Sequence, residues 1–406
     1  MKRQSLIKLA AMLTAGTFAM VGVLPQAMAQ SKVKVGIVLP LSGPFALGGQ
    51  NVKRGYDLAV EQVNSTGGIK ALGGAQLEVV YADNQGKQDI AIGETERLIQ
   101  QEQVSAILGS WHSPTTVAGT QAAERYKTPW VIEVSSADII LERGFKYVTR
   151  VNVKASWYGA APVDFLDYVK TNLKQPVSRV AIMYTDDDWG RASVGKGTKE
   201  ALQKRGYEIV EEIAYPSSAQ DVTTYINKVK AAKPDAFVVT SFPNDSILVG
   251  RAMEQLNFKV PLVIGVSAGY ALPSFVSNLG PVADKWFIVG GWNPDIPGAK
   301  GLADKYKAKF NVDMNEHAIL AYQTVLVLKE ALESAKSADR EKLNVALHKL
   351  QINPGPNLVM PYEGIKFDET GQNPYARELM LQVQNGKVVT VWPAAFAPAK
   401  AQIPFR

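Results

Sequence analysis

The chain of 406 residues contains no cysteine and only three histidines, His112, His317 and His348. The missing cysteines exclude structural disulfides, so the cysteine content does not indicate the cellular compartment. None of the histidines has a second candidate ligand at metal-binding spacing, and we expect no metal site. After residue 30, no apolar run approaches the roughly 20 residues that span a bilayer. We therefore expect a mature chain without disulfides, metal or membrane span.

The sequence also has no large excess of positive or negative charge. The formal net charge is +6, and it falls to +3 when the three basic residues among residues 1–29 are removed. The remaining lysines and arginines are dispersed, without a basic stripe interleaved with aromatic residues. A nucleic-acid partner is therefore not expected.

Residues 1–29 have the pattern of a removable export signal. Three basic residues come first, an uncharged apolar stretch follows at residues 9–24, and Ala27-Met28-Ala29 forms the small-x-small pattern that a signal peptidase reads. We expect cleavage before Gln30 and export to a bacterial periplasm.

The remaining 377 residues alternate between short apolar runs and helical patterns. This alternation predicts an α/β protein with parallel sheets, and the length predicts two lobes. We expect doubly wound lobes formed by residues 30–149 with 270–361, and by residues 150–269 with 362–406. Asn385-Gly386 between two apolar runs predicts a final hairpin with a type I′ turn. The predicted strands cover residues 33–39, 77–81, 104–108, 129–134, 179–184, 235–240, 261–265, 286–289, 379–383 and 388–392.

Two glycine motifs invite an enzymatic interpretation. Gly43 and Gly48 have the spacing of a phosphate-binding loop, but the lysine and hydroxyl residue that would complete it are absent, and no cofactor is expected. Residues 265–269 match the G-x-S-x-G pattern of a hydrolase, with Ser267 as the nucleophile. Pro273 interrupts the helix that should follow this serine at once. An exported serine hydrolase remains an alternative, although we expect a protein that is not an enzyme.

Residues 110–116 are better suited to binding a ligand. The segment follows the third predicted strand and opens a helix, so backbone N–H groups and the hydroxyls of Ser113 and Thr115 can converge on an anion. A cluster that only caps its own helix is the alternative. Residues 134–136 end the fourth strand at the same sheet edge and can add a carbonyl and hydroxyls.

Several segments together resemble the leucine/isoleucine/valine-binding type of solute receptor, which serves ABC importers. They are residues 35–37, 41–44, 64–69, 106–113 and 142–145, and the likeness extends over nearly the whole mature chain. The resemblance implies two doubly wound lobes joined by a three-strand hinge, with a ligand held between them. It further implies a monomer that delivers an amino acid, of branched-chain type, or a related small carboxylate to membrane permease subunits. An aromatic carboxylate is an alternative ligand, and sensing is an alternative to transport.

The resemblance also implies roles for individual residues. Ser113 matches the hydroxyl that holds the ligand carboxylate, and Ser136 and the Val134 carbonyl match groups that receive the ammonium. We also expect ligand contacts from residues beside these positions or in the second lobe, namely Trp111, Ser135, Trp189, Phe242 and Ser267.

Two departures from the family pattern affect the ligand. Ser267 replaces a glutamate that pairs with the ammonium, which removes a contact typically worth about 1.5 to 3 kcal/mol. Asp186 or Asp187 is a possible substitute for that acid. Gly48 replaces an aromatic residue, and we expect the space to admit a bulkier ligand group.

Overall fold

The computed structural model describes residues 31–403, and the predicted leader lies outside that range. The chain forms two main sheets with helices packed on their faces. The first sheet consists of β1 (Lys32–Leu39), β2 (Gln76–Asp83), β3 (Ala106–Gly109), β4 (Trp130–Ile132) and β5 (Val148–Arg150). All neighbours are parallel, in the order β2-β1-β3-β4-β5.

Helices cover both faces of the first sheet. Tyr56, Ala59 and Val63 on one face of the first helix are buried, as the apolar spacing predicted. Gly55 lets this helix approach α12 closely, because a Cβ at this position would lie 2.0 Å from the Ala318 carbonyl oxygen. The helices on this side are α1 (Ala46–Ser65), α2 (Gln88–Gln100), α3 (Ser113–Arg125) and α4 (Ile139–Glu142), and later in the chain α11 (Lys300–Phe310), α12 (Glu316–Ala335) and α13 (Arg340–His348).

The second sheet has seven strands in the order β14-β13-β10-β9-β8-β6-β7. Five are parallel to one another, β6 (Arg179–Thr185), β7 (Glu208–Tyr215), β8 (Ala236–Val239), β9 (Leu262–Val266) and β10 (Phe287–Gly290). The antiparallel strands β13 (Leu379–Gln384) and β14 (Lys387–Trp392) complete it. A separate pair, β11 (Gln351–Ile352) and β12 (Ile365–Lys366), lies outside both sheets.

The helices of the second side follow its strands. A π-helical stretch at Arg191–Thr198 continues α6 into α7. The helix bounds are α5 (Ala155–Thr171), α6 (Asp188–Gly190), α7 (Lys199–Lys204), α8 (Thr223–Ala231), α9 (Pro243–Gln255) and α10 (Pro273–Leu279). Within residues 31–403, none of the helices combines the length and apolarity needed to cross a bilayer.

Every strand predicted from the sequence is present, and four were missed: the short pair β11 and β12, and the sheet strands β5 and β7. Strand β5 has only three residues. Strand β7 pairs with β6 alone and is half exposed, and its glutamates break the apolar pattern of a buried strand. The predicted hairpin turn is confirmed, because Asn385 and Gly386 have φ angles of 52° and 74°, as a type I′ turn requires.

The chain passes between the two sheets three times. It leaves the first sheet after β5, and residues 371–373 return beside that point, where the Arg150 N–H donates to the Gly371 carbonyl. One predicted crossing is wrong. Strand β10 pairs with β9 and β13, so the chain leaves the second sheet after Gly290 and not near Gly269. Residues 270–290 therefore do not belong with the first sheet. The other lobe boundaries stay predictions.

Candidate ligand-binding site

One cavity lies where strand ends of the two sheets meet. Loops after β3 and β4 contribute from the first sheet, and loops after β6, β8 and β9 contribute from the second. The carboxyl ends of parallel strands are where α/β folds commonly bind ligands. The cavity and its solvent-open mouth together comprise about 320 Å³. The cavity is lined by Trp111, Ser113, Val134, Ser136, Tyr158, Trp189, Phe242, Ser267, Ala268 and His317. No acidic or basic side chain other than His317 is among them.

Seven of the eight predicted site residues line this cavity, and Ser135 does not. The Ser135 hydroxyl lies 2.5 Å from Thr116 Oγ1, so it is engaged with the helix behind the cavity wall. Its neighbours Val134 and Ser136 face the cavity because alternate residues of an extended segment point to opposite sides. That the seven residues contact a ligand stays a prediction.

The Ser113 side of the cavity has hydrogen-bond donors to spare. Ser113 begins α3, so the N–H groups of its first turn have no acceptor within the helix. Ser113 Oγ accepts from the Ala137 N–H at 3.2 Å, which leaves the hydroxyl proton for another partner. Thr115, also expected to face an anion, instead donates to the His112 carbonyl at 2.8 Å. In this cluster, the Thr115 hydroxyl therefore caps its own helix, whereas the Ser113 hydroxyl lines the cavity.

Trp111 occupies the space that the sequence assigned to a bulky ligand group. A Cβ on Gly48 would lie 2.2 Å from Trp111 Cζ2, so only glycine at position 48 accommodates the indole. The expected extra room above Gly48 is therefore absent. Trp111 has a positive φ of 66°, which turns its side chain toward α1 and α12. Its indole Nε1–H donates to His317 Nδ1 at 3.2 Å.

A buried carboxyl group lies behind the opposite wall. Glu316, the first residue of α12, accepts hydrogen bonds from Tyr158 Oη and, at 3.4 Å, from Ser267 Oγ. Burial raises the pKa of Glu316 to about 7, and the hydrogen bond from Tyr158 opposes this rise. Asn152 Nδ2 donates to the Tyr158 hydroxyl at 3.0 Å, so that hydroxyl is also fully engaged. An acid thus stands close to Ser267, but two side chains separate it from the cavity.

The proposed substitutes for the missing glutamate both lie outside the cavity lining. Asp187 Oδ1 accepts from the N–H groups of Trp189 and Gly190 and caps α6. Asp186 pairs with Arg191 at 2.5 Å at the surface. Neither aspartate lines the cavity. That one of them receives a ligand ammonium stays a prediction, and their positions outside the cavity lining do not support it.

Aromatic rings from the two sides close over the cavity. Phe45, at the start of α1, stacks on His112 with ring centroids 4.2 Å apart. On its other side it meets Phe242 from the second side, with centroids 4.9 Å apart. Phe242 also contacts Trp111 and Trp189 at 6.0 and 5.6 Å. The cavity is therefore covered by rings that belong to both halves of the protein.

Sequence reasoning missed three lining residues, Tyr158, Ala268 and His317. Tyr158 sits within a helix and His317 at the start of one, far along the chain from the predicted binding loops. The polar start Asn315-Glu316-His317 before an apolar helix was the available signal, because Asn315 caps α12 by accepting from the Ala318 N–H.

The hydrolase alternative lacks the histidine base of a catalytic triad. The Ser267 hydroxyl donates to Glu316 and not to a histidine. His317 follows Glu316 in the chain, but its Nδ1 accepts the hydrogen bond from the Trp111 indole. Helix α10 begins at Pro273, several residues after the serine, whereas a nucleophile elbow leads directly into its helix. Across the described part of the chain, no three His, Asp or Glu side chains cluster as a metal ion would require.

Two mainly parallel sheets that face one cavity have the architecture of a two-lobed solute receptor. The family model described as periplasmic binding protein matches residues 32–387, and the chain belongs to that family. The Leu/Ile/Val-binding protein homolog 7 of Brucella melitensis is 31% identical over 388 residues, with 93% of this chain and 96% of the relative covered. The resemblance inferred from the sequence and the predicted fold class are thereby confirmed.

Solved structures of similar fold hold different ligands. A branched-chain amino acid transporter substrate-binding protein from Streptococcus pneumoniae, in complex with isoleucine, has a TM-score of 0.78 at 24% identity and covers 89% of this chain and 100% of its own. A solute-binding protein of an ABC transporter from Rhodopseudomonas palustris, in complex with 3,4-dihydroxybenzoic acid, has a TM-score of 0.77 at 22% identity, with 91% and 98% covered. This protein is a solute-binding protein of the branched-chain amino-acid ABC transporter family, and its ligand must be argued from its own cavity.

Proposed function

We propose that this protein works outside the cytoplasmic membrane, where it binds a small carboxylate in the cavity between its two sheets. It delivers the carboxylate, chemically unchanged, to the membrane permease of an ABC transporter. The observation that supports this most is the free hydroxyl proton of Ser113 at the start of α3, inside a cavity whose lining contains no Asp, Glu, Lys or Arg. A helix start with spare donors holds an anion without a basic side chain.

Closure of the two halves over the ligand supplies the signal for delivery. Ser113, Val134 and Ser136 belong to the first side, and Trp189 and Phe242 belong to the second. A ligand that touches both sets stabilises the closed arrangement relative to an open one. A permease that engages the closed form then receives loaded protein in preference to empty protein.

Two ligand classes fit this proposal. The relatives favour an amino acid of branched-chain type, whereas the cavity lining favours an aromatic carboxylate. Tyr158, Trp189 and Phe242 present ring surface, and no carboxylate faces the cavity to pair with an ammonium group. We propose the aromatic or otherwise apolar monocarboxylate as the better match for this lining.

A thermal-shift panel separates the two classes. Leucine, isoleucine, valine, benzoate and hydroxybenzoates are each added to the purified protein, since a ligand at 100 times its Kd stabilises the folded state by about 2.7 kcal/mol. Calorimetry with the best binder then tests Ser113→Ala. Loss of a hydrogen bond to a charged group predicts an affinity about 10- to 100-fold lower.

Ser135→Ala is the matched comparison, because this serine is adjacent in the wall but turned toward Thr116. We expect it to leave the affinity within about twofold of the unchanged protein. Equal losses in both variants, or an unaltered affinity in Ser113→Ala, would contradict the proposed carboxylate site. Turnover of the bound compound would contradict a receptor without enzymatic activity.

A further inference from the structure

His317 is a buried polar residue that the carboxylate site does not use. It lines the cavity and has no solvent exposure. Burial lowers the pKa of His317 to about 3, so the ring is neutral under ordinary conditions. A neutral imidazole has one nitrogen that donates and one that accepts.

The tautomer of this ring follows from its neighbour. An indole N–H only donates, and the Trp111 Nε1–H points at His317 Nδ1 at 3.2 Å. Nδ1 must therefore be the accepting nitrogen, and the proton resides on Nε2. Within residues 31–403, Nε2 has no hydrogen-bond partner. Leaving a buried donor unsatisfied costs about 1 to 3 kcal/mol, so a partner for it is strongly favoured.

We propose that His317 is a ligand-binding residue whose Nε2–H donates to an uncharged oxygen of the ligand, so that the cavity prefers a 2-oxo or 2-hydroxy acid over the matching 2-amino acid. The inference rests on the proposed carboxylate site. It further specifies the substituent on the ligand carbon next to the carboxylate. Nδ1 is held by Trp111 on one edge of the ring, and the opposite edge carries the unpartnered Nε2–H.

An ammonium group is poorly matched to the same position. It has only donors, and it would face another donor in the Nε2–H of His317. The Val134 carbonyl, one possible acceptor, already receives the Asn152 Nδ2–H at 3.3 Å, which leaves one of its two lone pairs for a group with three N–H donors. The nearest acid, Glu316, has its oxygens engaged by Tyr158 and Ser267 and does not line the cavity. A carbonyl or hydroxyl oxygen satisfies the histidine without requiring a counter-charge.

The test uses two matched sets of acids and the full protein. The aliphatic set is leucine, 2-hydroxy-4-methylpentanoate and 4-methyl-2-oxopentanoate, and the aromatic set is phenylalanine, phenyllactate and phenylpyruvate. Calorimetry on the unchanged protein is expected to give the oxo or hydroxy acid of at least one set an affinity about 10-fold or more above that of its amino acid.

Two variants at position 317 then assign the preference to the histidine. His317→Leu removes the donor and is expected to reduce the preference about 3- to 10-fold. His317→Gln places an amide N–H near the position of Nε2 and is expected to restore much of the preference. In the ligand-free protein, ¹⁵N NMR of labelled histidine is expected to find the proton of His317 on Nε2, and Trp111→Phe is expected to weaken that tautomer bias.

Each outcome bears on this inference. A 2-amino acid that binds more tightly than its partners, a preference that is undiminished in His317→Leu, or a proton on Nδ1 overturns it. If none of the six acids binds, it is also overturned. The proposed function survives any of these results if another carboxylate binds with the expected dependence on Ser113, so the two failures are distinguishable.

Discussion

The two sides of the cavity are assembled in different ways. On the first-sheet side, Ser113 and Ser136 each lie a few residues beyond a buried strand, so a short segment of sequence contains the whole feature. At the opposite wall, Tyr158 and Ser267 meet Glu316, the first residue of the first-sheet helix α12, so three distant segments come together only in the folded protein. The Ser113 wall offers free donors, and the Glu316 wall holds a carboxyl group whose oxygens are already engaged.

This difference assigns separate tasks to the two sides. A helix start with spare donors suits any carboxylate, so the first side contributes affinity with little discrimination. The second side determines which neighbouring groups the ligand can carry, because buried polar groups reject partners that leave them unsatisfied. Predictions that alter one side at a time therefore test whether affinity and selectivity are separable.

The largest expected effect concerns Glu316 and pH. Its pKa in the folded protein is raised to about 7 from an ordinary value of 4.5, so the folded state holds the proton more tightly than the unfolded chain. The resulting stability is fully present below about pH 4.5 and is lost as the pH rises toward 7, by on the order of 3 kcal/mol. Glu316→Gln is expected to reduce this loss, and part of it remains with Glu378, whose pKa is raised by burial and by the nearby Glu316 carboxyl.

Urea denaturation of both proteins from pH 4.5 to 8 measures the effect as a difference. His112 and His317, whose pKa values burial lowers to about 3, destabilise the protein as the pH falls below about 6.5, and this contribution cancels between the two proteins. Glu133 and Asp245 have pKa values raised to about 7, so part of the slope remains in the variant. Identical slopes would mean that Glu316 is ionised throughout.

The sequence predicts the two walls of the cavity with different success. Ser113 and Val134 were found because apolar runs predict strands, and because strands of one sheet end at one edge. Tyr158 and His317 were missed because no local pattern says which helix faces a cavity. Strand β10 was assigned to the wrong half because periodicity identifies a strand but does not name its neighbours.

Position 48 gives the second prediction, on the first side. Gly48→Ala would place a methyl group 2.2 Å from Trp111 Cζ2, which forces the indole to shift. Overpacking of this kind typically costs about 1 to 3 kcal/mol, more than the gain of about 0.5 to 1 kcal/mol from replacing a helical glycine. We expect lower stability and weaker ligand binding, measured by denaturation and calorimetry.

Gly93→Ala is the matched control, because Gly93 also lies within a helix, α2, and a Cβ there meets no atom within 4 Å. This variant should be more stable than the unchanged protein by about 0.5 to 1 kcal/mol, with unaltered affinity. Opposite signs at the two glycines would confirm that Trp111 is packed against α1. A stabilised Gly48→Ala variant would mean that the indole moves freely.

The smallest effect is expected where the two sides touch each other. Phe45 is half buried and packs against His112 of the first side and Phe242 of the second, with centroid distances of 4.2 and 4.9 Å. Aromatic pairs contribute about 0.5 to 1.5 kcal/mol beyond their buried area. Phe45→Ala is therefore expected to speed ligand dissociation about 2- to 10-fold in stopped-flow measurements, while equilibrium stability changes little.

Leu47→Ala provides the control for this change, since Leu47 is two residues away in α1 and 51% exposed. It should leave the dissociation rate unaltered, because its side chain takes no part in the ring cluster. If Phe45→Ala slows dissociation or leaves it unchanged, the rings do not hold the two sides together over the ligand. An equal effect on association and dissociation would instead mean that Phe45 obstructs the entrance in both directions, and that closure depends on contacts deeper in the cavity.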